Sequence, residues 1–365
     1  MPRKYSILIM GASYGSLLGA KLLLAGHDVT LVCLPAEADL IEREGFRIRL
    51  PVRGSSELVE IDTRRLPGRV RATGASGVDP SRYDLVALAM QEPQYASPGV
   101  RELLHAVALA KLPCMSIMNM PPLPYLARIP GLDVAAFRHC YTDASVWDAF
   151  DPAQMTLCSP DPQAFRPPDE KVNVLQVSLP TNFKAARFAA DAPTAMLRAL
   201  QADIEASRLT TPHGPVELPV KLKVHESVFV PLAKWSMLLT GNYRCVQATG
   251  VRSIRDAVHS DVDASRDVYA WVGKVCKALG AADADLVPFD KYANAAQGLG
   301  KPSSAARALA AGARNIERVD RLVQTAGTQK GMRLAAVDRV VALVDGWLER
   351  NRNPDRKAQQ AVTTA

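Results

Sequence analysis

Ser6-Ile7-Leu8-Ile9-Met10-Gly11-Ala12-Ser13-Tyr14-Gly15-Ser16-Leu17-Leu18 decides how this chain folds, together with the apolar run that follows it to Gly26 and the segment 29–34. Residues 6–10 predict a short buried strand and 11–16 a turn of small residues. Residues 17–25 predict an apolar helix stopped by Gly26, and 29–34 a second strand. About 30 residues is the length of a βαβ crossover. The turn stands where a G-x-G-x-x-G would, with Gly11 making the tight first bend and Ser13 and Ser16 replacing the second and third glycines. Those positions serve close approach of a pyrophosphate and close helix–strand packing. Gly11, Ala12, Ser13, Tyr14, Gly15 and Ser16 are therefore the candidate phosphate-binding turn, its backbone N–H groups facing the anion. Small residues kept for packing alone are the alternative.

Outward from this unit, apolar runs at 85–90 and 114–118 alternate with a helical stretch at 100–112, the pattern of a parallel sheet covered on both faces. From 151 to 219 the pattern loosens. Pro160, Pro162, Pro167 and Pro168 surround one strand-like run, 172–179, and a helix at 192–207, read as the end of the first domain with an insertion at about 150–170. After His225 strand signals almost vanish and helical patterns take over at 227–239, 262–279, 303–311, 315–324 and 334–349. The expected architecture is α/β, with an N-terminal Rossmann-type doubly wound sheet in 1–220 and an all-α domain in 221–350. The polar tail 351–365 is expected to be disordered.

Composition narrows the function classes. Two domains suit 365 residues, and 48% hydrophobic with 22% charged residues is an ordinary globular balance. The 44 Lys+Arg against 37 Asp+Glu leave +7, which suits anionic ligands but forms no basic stripe for nucleic acid. Six cysteines without a C-x-x-C pair read as buried thiols in a reducing compartment. The six histidines have no ligand spacing, so no metal is expected. Gly11, Ser13 and Gly15 cut the N-terminal apolar run too early for a signal peptide, and no run reaches the roughly 20 apolar residues of a membrane span. A cytoplasmic protein is expected, and the long apolar helices of the second half favour a homodimer.

Two further features point to chemistry. Lys234 is the one acid or base in the run from Val228 to Tyr243, in Val-Pro-Leu-Ala-Lys-Trp-Ser-Met-Leu-Leu. Burial among apolar neighbours would lower its pKa and fit it for proton transfer or anion binding, whereas snorkelling from a core helix is the plain alternative. Asn242 lies two turns on, roughly on the same side. Further along, Pro302-Ser303-Ser304 starts a helix that Gly312 ends, Asn315 can cap the next, and Glu317 falls in its first turn. Arg321, four residues on, offers Glu317 a surface ion pair.

These features together resemble the ketopantoate reductase family over roughly residues 5–350. The resemblance implies a helical domain of the 6-phosphogluconate dehydrogenase-like type, with the family's substrate cleft between it and the Rossmann domain. It also implies NADP, with NAD as the alternative, and a small carbonyl substrate. In Ser116-Ile117-Met118-Asn119-Met120, Asn119 matches the family's strand-ending Asn-Gly and the glycine does not. Lys234 resembles the catalytic lysine of a Lys-x3-Asn-x3-Asn pattern, with Leu238 at the first Asn and Asn242 at the second. Pro302-Ser303-Ser304 through Gly312-Ala313-Arg314-Asn315-Ile316-Glu317 resembles the family's Pro-Ser…Gly-Arg-x-Thr-Glu-Ile-Asp with one extra residue, carrying over Ser304 and Glu317. Gln91 stands where members carry a lysine facing cofactor and substrate, and Leu34 where an arginine favours NADP. The implied reaction is hydride transfer to a 2-oxo acid or related carbonyl. Lys234 would be the general acid, Glu317 would hold a substrate hydroxyl or Lys234, and Asn119, Asn242 and Ser304 would orient substrate and nicotinamide, Asn119 and Gln91 counting also among the cofactor-binding residues. An opine-like imine-reducing dehydrogenase and a non-catalytic dinucleotide-sensing protein are the other readings.

Overall fold

The structure, a computed structural model, describes residues 3–53, 57–212 and 214–353. They belong to two compact units, one drawn from Met1–Arg128 and Ser145–Pro231, the other from Ile129–Ala144 and Leu232–Ala365. The expected disordered tail lies, from residue 354 onward, outside the described residues. Residues 351 and 352 complete the last helix.

The first unit begins with β1 (Ser6–Met10), α1 (Tyr14–Leu24), β2 (Asp28–Val32), α2 (Pro35–Glu44), β3 (Arg47–Pro51), β4 (Leu58–Asp62), β5 (Val70–Thr73) and β6 (Leu85–Leu88). It continues with α3 (Val100–Leu109), β7 (Cys114–Ile117), α4 (Leu123–Leu126), β8 (Met155–Ser159), β9 (Gln163–Phe165), β10 (Val174–Leu179), β11 (Phe183–Ala186) and α5 (Asp191–Ala206). A short hairpin of β12 (Leu209–Thr211) and β13 (Gly214–Val216) precedes β14 (Leu222–His225). Eight strands form one sheet in the order β14-β11-β8-β7-β6-β1-β2-β5. Its pairs are parallel except β8 with β11. Being inner and parallel, β1 is buried on both faces, so Ile7, Leu8, Ile9 and Met10 form an unbroken apolar run at 0% exposure. Helix α1 packs on β1 and β2 and beside α5. This is the doubly wound arrangement expected from the opening stretch.

A second sheet, β4-β3-β10-β9, joins the hairpin after α2 to strands from beyond residue 160. In β3, Arg47 and Arg49 alternate with buried Ile48 and Leu50. Arg49 lies opposite Glu60 of β4, with Nε donating to the carboxylate at 2.8 Å. The strand expected at 172–179 is β10, and it pairs with both β3 and β9.

Helix α1 also carries a buried cation. Lys21 is 2% exposed, and its Nζ donates to the carbonyls of Leu218 (3.3 Å) and Pro219 (3.1 Å). Burial lowers its pKa to about 8. Lys221 pushes the same way and Glu217 opposes.

In the second unit the helix expected at 227–239 is interrupted. A 3₁₀ turn (Pro231–Ala233) reaches it, followed by α6 (Lys234–Met237), a π turn (Leu238–Asn242) and another 3₁₀ turn (Tyr243–Cys245). A two-residue hairpin, β15 (Val246–Gln247) with β16 (Gly250–Val251), leads to α7 (Ile254–His259), α8 (Val262–Ala278), α9 (Phe289–Ala296), α10 (Ser304–Ala310), α11 (Val319–Gln329) and α12 (Ala335–Arg352). Helix α8 buries Ser265, Val268, Tyr269, Val272, Val275 and Cys276, a stripe at helical spacing, against α6, α7, α11 and the π turn. The segment 129–144 docks on α11. Asp133 N–H donates to Gln329 Oε1 at 3.0 Å, Gln329 Nε2 to Asp133 O at 2.9 Å, and Lys330 Nζ to Gly131 O at 3.2 Å. No helix among the described residues is long and apolar enough to cross a membrane.

Candidate functional site

The glycine-rich turn leaves the carboxyl end of β1 between β2 and β6, where the strand order reverses. In open α/β sheets that is where ligands bind. Gly11 has φ +110°, and a Cβ there would come within 2.7 Å of Ala89 O at the end of β6. Its N–H donates to Val32 O at 2.9 Å, which ties the turn to the end of β2. The close helix–strand approach falls at Gly15, where a Cβ would lie 2.5 Å from Ile9 Cγ2. The turn is therefore one residue tighter than G-x-G-x-x-G. Gly15 meets the packing requirement that the sequence pattern assigned to Ser16, because α1 already begins at Tyr14. Ser16 Oγ instead donates to Ala12 O at 2.6 Å. Ala12 is buried, Tyr14 half-buried and Ser13 exposed. As the N-cap of α1, Ser13 makes no side-chain capping bond.

Two other expected residues follow the carboxyl ends of neighbouring strands. Gln91, exposed, caps the 3₁₀ turn Glu92–Ala96 after β6, its N–H donating to Gln94 Oε1 at 3.0 Å. Asn119 is half-buried two residues beyond β7.

At the end of β2, Leu34 is 75% exposed and Glu37, in the first turn of α2, is 8% exposed. A residue that sequence reasoning missed meets them: Arg166, the residue after β9. Its Nη2 donates to Ala12 O at 3.0 Å and pairs with Glu37 Oε1. Burial pushes the Glu37 carboxyl above its usual range and Arg166 pulls it back. Burial also pushes the neighbouring Cys33 thiol up to about 12, with the Glu37 charge adding to it.

In the second unit, Lys234 begins α6, half-buried. An i→i+5 turn winds less per residue than an α-helix. Eight residues along an unbroken α-helix, Asn242 would sit about 80° around the axis from Lys234. The π turn between them brings it closer to the same line. Asn242 is then tied to α10 by Ser303, the N-cap, whose Oγ donates to Asn242 O at 2.7 Å and accepts from Ala306 N–H. Ser304 is exposed as the first residue of α10. The hydroxyl contact comes from Ser303, a residue the sequence motif left aside.

Tyr243 ties in Glu317. Its hydroxyl donates to Glu317 O and accepts from Val319 N–H at 3.0 Å, and burial raises its pKa well above the usual value. Glu317, 8% exposed, precedes α11 rather than lying in its first turn. The expected spacing to Arg321 therefore does not hold, and Arg321 pairs with Asp345 at 2.5 Å. Beside Glu317, Arg318 makes two bonds to buried Asp320 (2.9 and 3.0 Å) and one to Asp345 (2.7 Å). Burial disfavours the Arg318 charge, but those two carboxylates outweigh it and raise its pKa. A cavity of about 610 Å³ adjoins this network, lined by His139, Cys140, Arg318 and Arg321 among others. None of the expected site residues lines it. Among the described residues no cluster of His, Cys, Asp and Glu could hold a metal ion.

No protein-family profile and no curated protein matches the chain. Solved structures do. A 2-dehydropantoate 2-reductase from Methylococcus capsulatus superposes with a TM-score of 0.64 at 15% identity, covering 95% of this chain and 97% of its own. D-mandelate dehydrogenase, solved with NADH and anilino(oxo)acetate, gives 0.62 at 14%, covering 95% and 99%. A ketopantoate reductase from Staphylococcus aureus, described as dimeric, gives 0.57 at 11%, covering 95% and 99%. With identities this low and coverage nearly complete, what is shared is the fold: this chain has the architecture of the ketopantoate reductases and of D-mandelate dehydrogenase.

Proposed function

We propose that this chain is an NADP-dependent reductase that delivers hydride to the carbonyl carbon of a 2-oxo acid or related small carbonyl compound, working as a homodimer. The observation that carries the reading is the Gly11–Gly15 turn at the point where the sheet's strand order reverses. There Gly11 takes a conformation that side chains avoid, and Gly15 lets α1 lie against β1. The residues present fit a dinucleotide. The N-terminus of α1 has no side-chain cap, an arrangement that a phosphate completes. The dimeric reductase and the NADH-binding dehydrogenase of the same fold support the reading.

When bound, the nicotinamide supplies the hydride. The remaining chemistry belongs to the chain. Lys234, a half-buried cation in an apolar run, gives a proton to the developing alkoxide oxygen and stabilises its charge before transfer. Glu317, its backbone fixed by Tyr243, holds a substrate hydroxyl or orients the ammonium group of Lys234. Asn242, fixed by Ser303, orients substrate with Ser304 and Asn119, and Gln91 contacts the cofactor from the end of β6.

The test is a titration with NADPH and NADH, followed by absorbance at the nicotinamide band as ketopantoate, other 2-oxo acids, and carbonyls mixed with amines are added. The expected outcome is oxidation driven by a 2-oxo acid alone. Lys234→Met should lower kcat at least about 100-fold while leaving nucleotide affinity unchanged. Nucleotide binding with no oxidation by any carbonyl, or undiminished turnover in Lys234→Met, would remove this mechanism.

A further inference from the structure

Cys33 and Leu34 are the two residues that follow β2, so the end of that strand offers no cation to a ribose phosphate. One arrives from elsewhere. Arg166 leaves the edge strand β9 of the second sheet and reaches both the carbonyl of Ala12 in the glycine-rich turn and the carboxylate of Glu37 beyond β2. In this fold type the adenosine ribose lies between that turn and the end of the second strand. An acidic group there meets a 2′-hydroxyl, and an arginine accommodates a 2′-phosphate. Both contacts of Arg166 use Nη2. Its Nε and Nη1 carry three further N–H donors with no acceptor among the described residues, on a side chain 34% exposed. Glu37 is committed to Arg166, so its charge is offset where a second anion would arrive.

We propose that Arg166 reads the 2′-phosphate of the adenosine ribose in NADPH, presenting Nε and Nη1 to the phosphate oxygens, with Glu37 as its positioning residue. This rests on the dinucleotide-dependent reading above, and it assigns the cofactor preference to a side chain from the second sheet. The planar fork of guanidinium suits a phosphate with two oxygens engaged at once, which a lysine ammonium matches only as a point charge.

Calorimetric titration of the full chain with NADPH, NADH, 2′,5′-ADP and 5′-ADP tests it without any turnover. The native protein should bind NADPH at least tenfold more tightly than NADH, and 2′,5′-ADP at least tenfold more tightly than 5′-ADP. Arg166→Met should abolish both ratios by weakening only the 2′-phosphorylated ligands, and Arg166→Lys should restore part of each ratio. Thermal unfolding reports whether each variant is folded, and the fragment comparison on native protein stands whatever the variants do. Equal binding of the two fragments, or an equal loss for NADPH and NADH in Arg166→Met, would overturn the assignment. The second result would place Arg166 on the pyrophosphate common to both. Failure of native protein to bind any of the four ligands would overturn the dinucleotide-dependent reading itself.

Discussion

Replacing Lys21 with methionine should make the chain's stability respond to pH in a calculable way. In the folded protein this lysine is 2% exposed and its pKa falls from 10.5 to about 8. That difference corresponds to about 3 kcal/mol of disfavour toward the charged form. Its folded pKa lies below its unfolded one, so between pH 8 and 10.5 the unfolded chain binds more protons, and stability from this group rises with pH. The penalty is complete below about pH 8 and gone above about 10.5. Against it stand the bonds to Leu218 O and Pro219 O, which the neutral amine still makes and methionine cannot. Losing them costs about 1–3 kcal/mol at any pH. Near pH 7 the two effects offset, and native protein and variant should agree within about 2 kcal/mol. By pH 10.5 native protein should have gained about 3 kcal/mol relative to the variant. Urea unfolding of both at pH 7, 8.5 and 10.5 measures the difference, and the buried cysteines and tyrosines cancel because both proteins carry them. A difference that stays flat across this range would refute the claim that Lys21 is buried as a cation.

Three further outcomes are expected. Gly15→Ala forces Ile9 aside, so it should destabilise by about 1–3 kcal/mol in urea unfolding and weaken NADPH and NADH equally in a binding titration. Tyr243→Phe leaves Glu317 O and Val319 N–H unsatisfied in the interior, and should cost about 1–3 kcal/mol while lowering kcat more than it changes nucleotide affinity. Asp320→Asn removes a fully buried carboxylate from Arg318 and should cost about 3 kcal/mol, read as a lower urea midpoint with the slope unchanged.

The opening strand, turn and helix were legible because each obeys a local requirement: apolar residues for an inner parallel strand, small residues for the bend, glycine to stop the helix. The second sheet was not, since β3 finds its partner β10 only after a long excursion and the three residues of β9 carry no hydrophobic pattern. Arg166 was hidden for the same reason. In sequence it is one arginine in a Pro-rich stretch, and only the β9–β10–β3 pairing brings it to Glu37. Around Glu317 the local signals pointed the wrong way. Asn315 looked like a cap, but its Oδ1 accepts from Arg352, and α11 starts only after Arg318 has turned to Asp320 and Asp345. The π turn between Lys234 and Asn242 has no residue signature, because it comes from how the surrounding helices pack.

The docking of residues 129–144 on α11 has a temporal side. Asp133 and Gln329 are 196 residues apart in the chain. A ribosome adding about 5–20 residues per second needs about 10–40 s to deliver the second after the first. For that interval the segment has left the ribosome before its docking site exists, and Phe137 and Cys140, buried in the finished protein, wait without their final cover. Chaperones that hold apolar stretches on nascent chains would meet this segment early. A second unit cut from the chain at residue 232 would emerge with the matching surface of α11 bare.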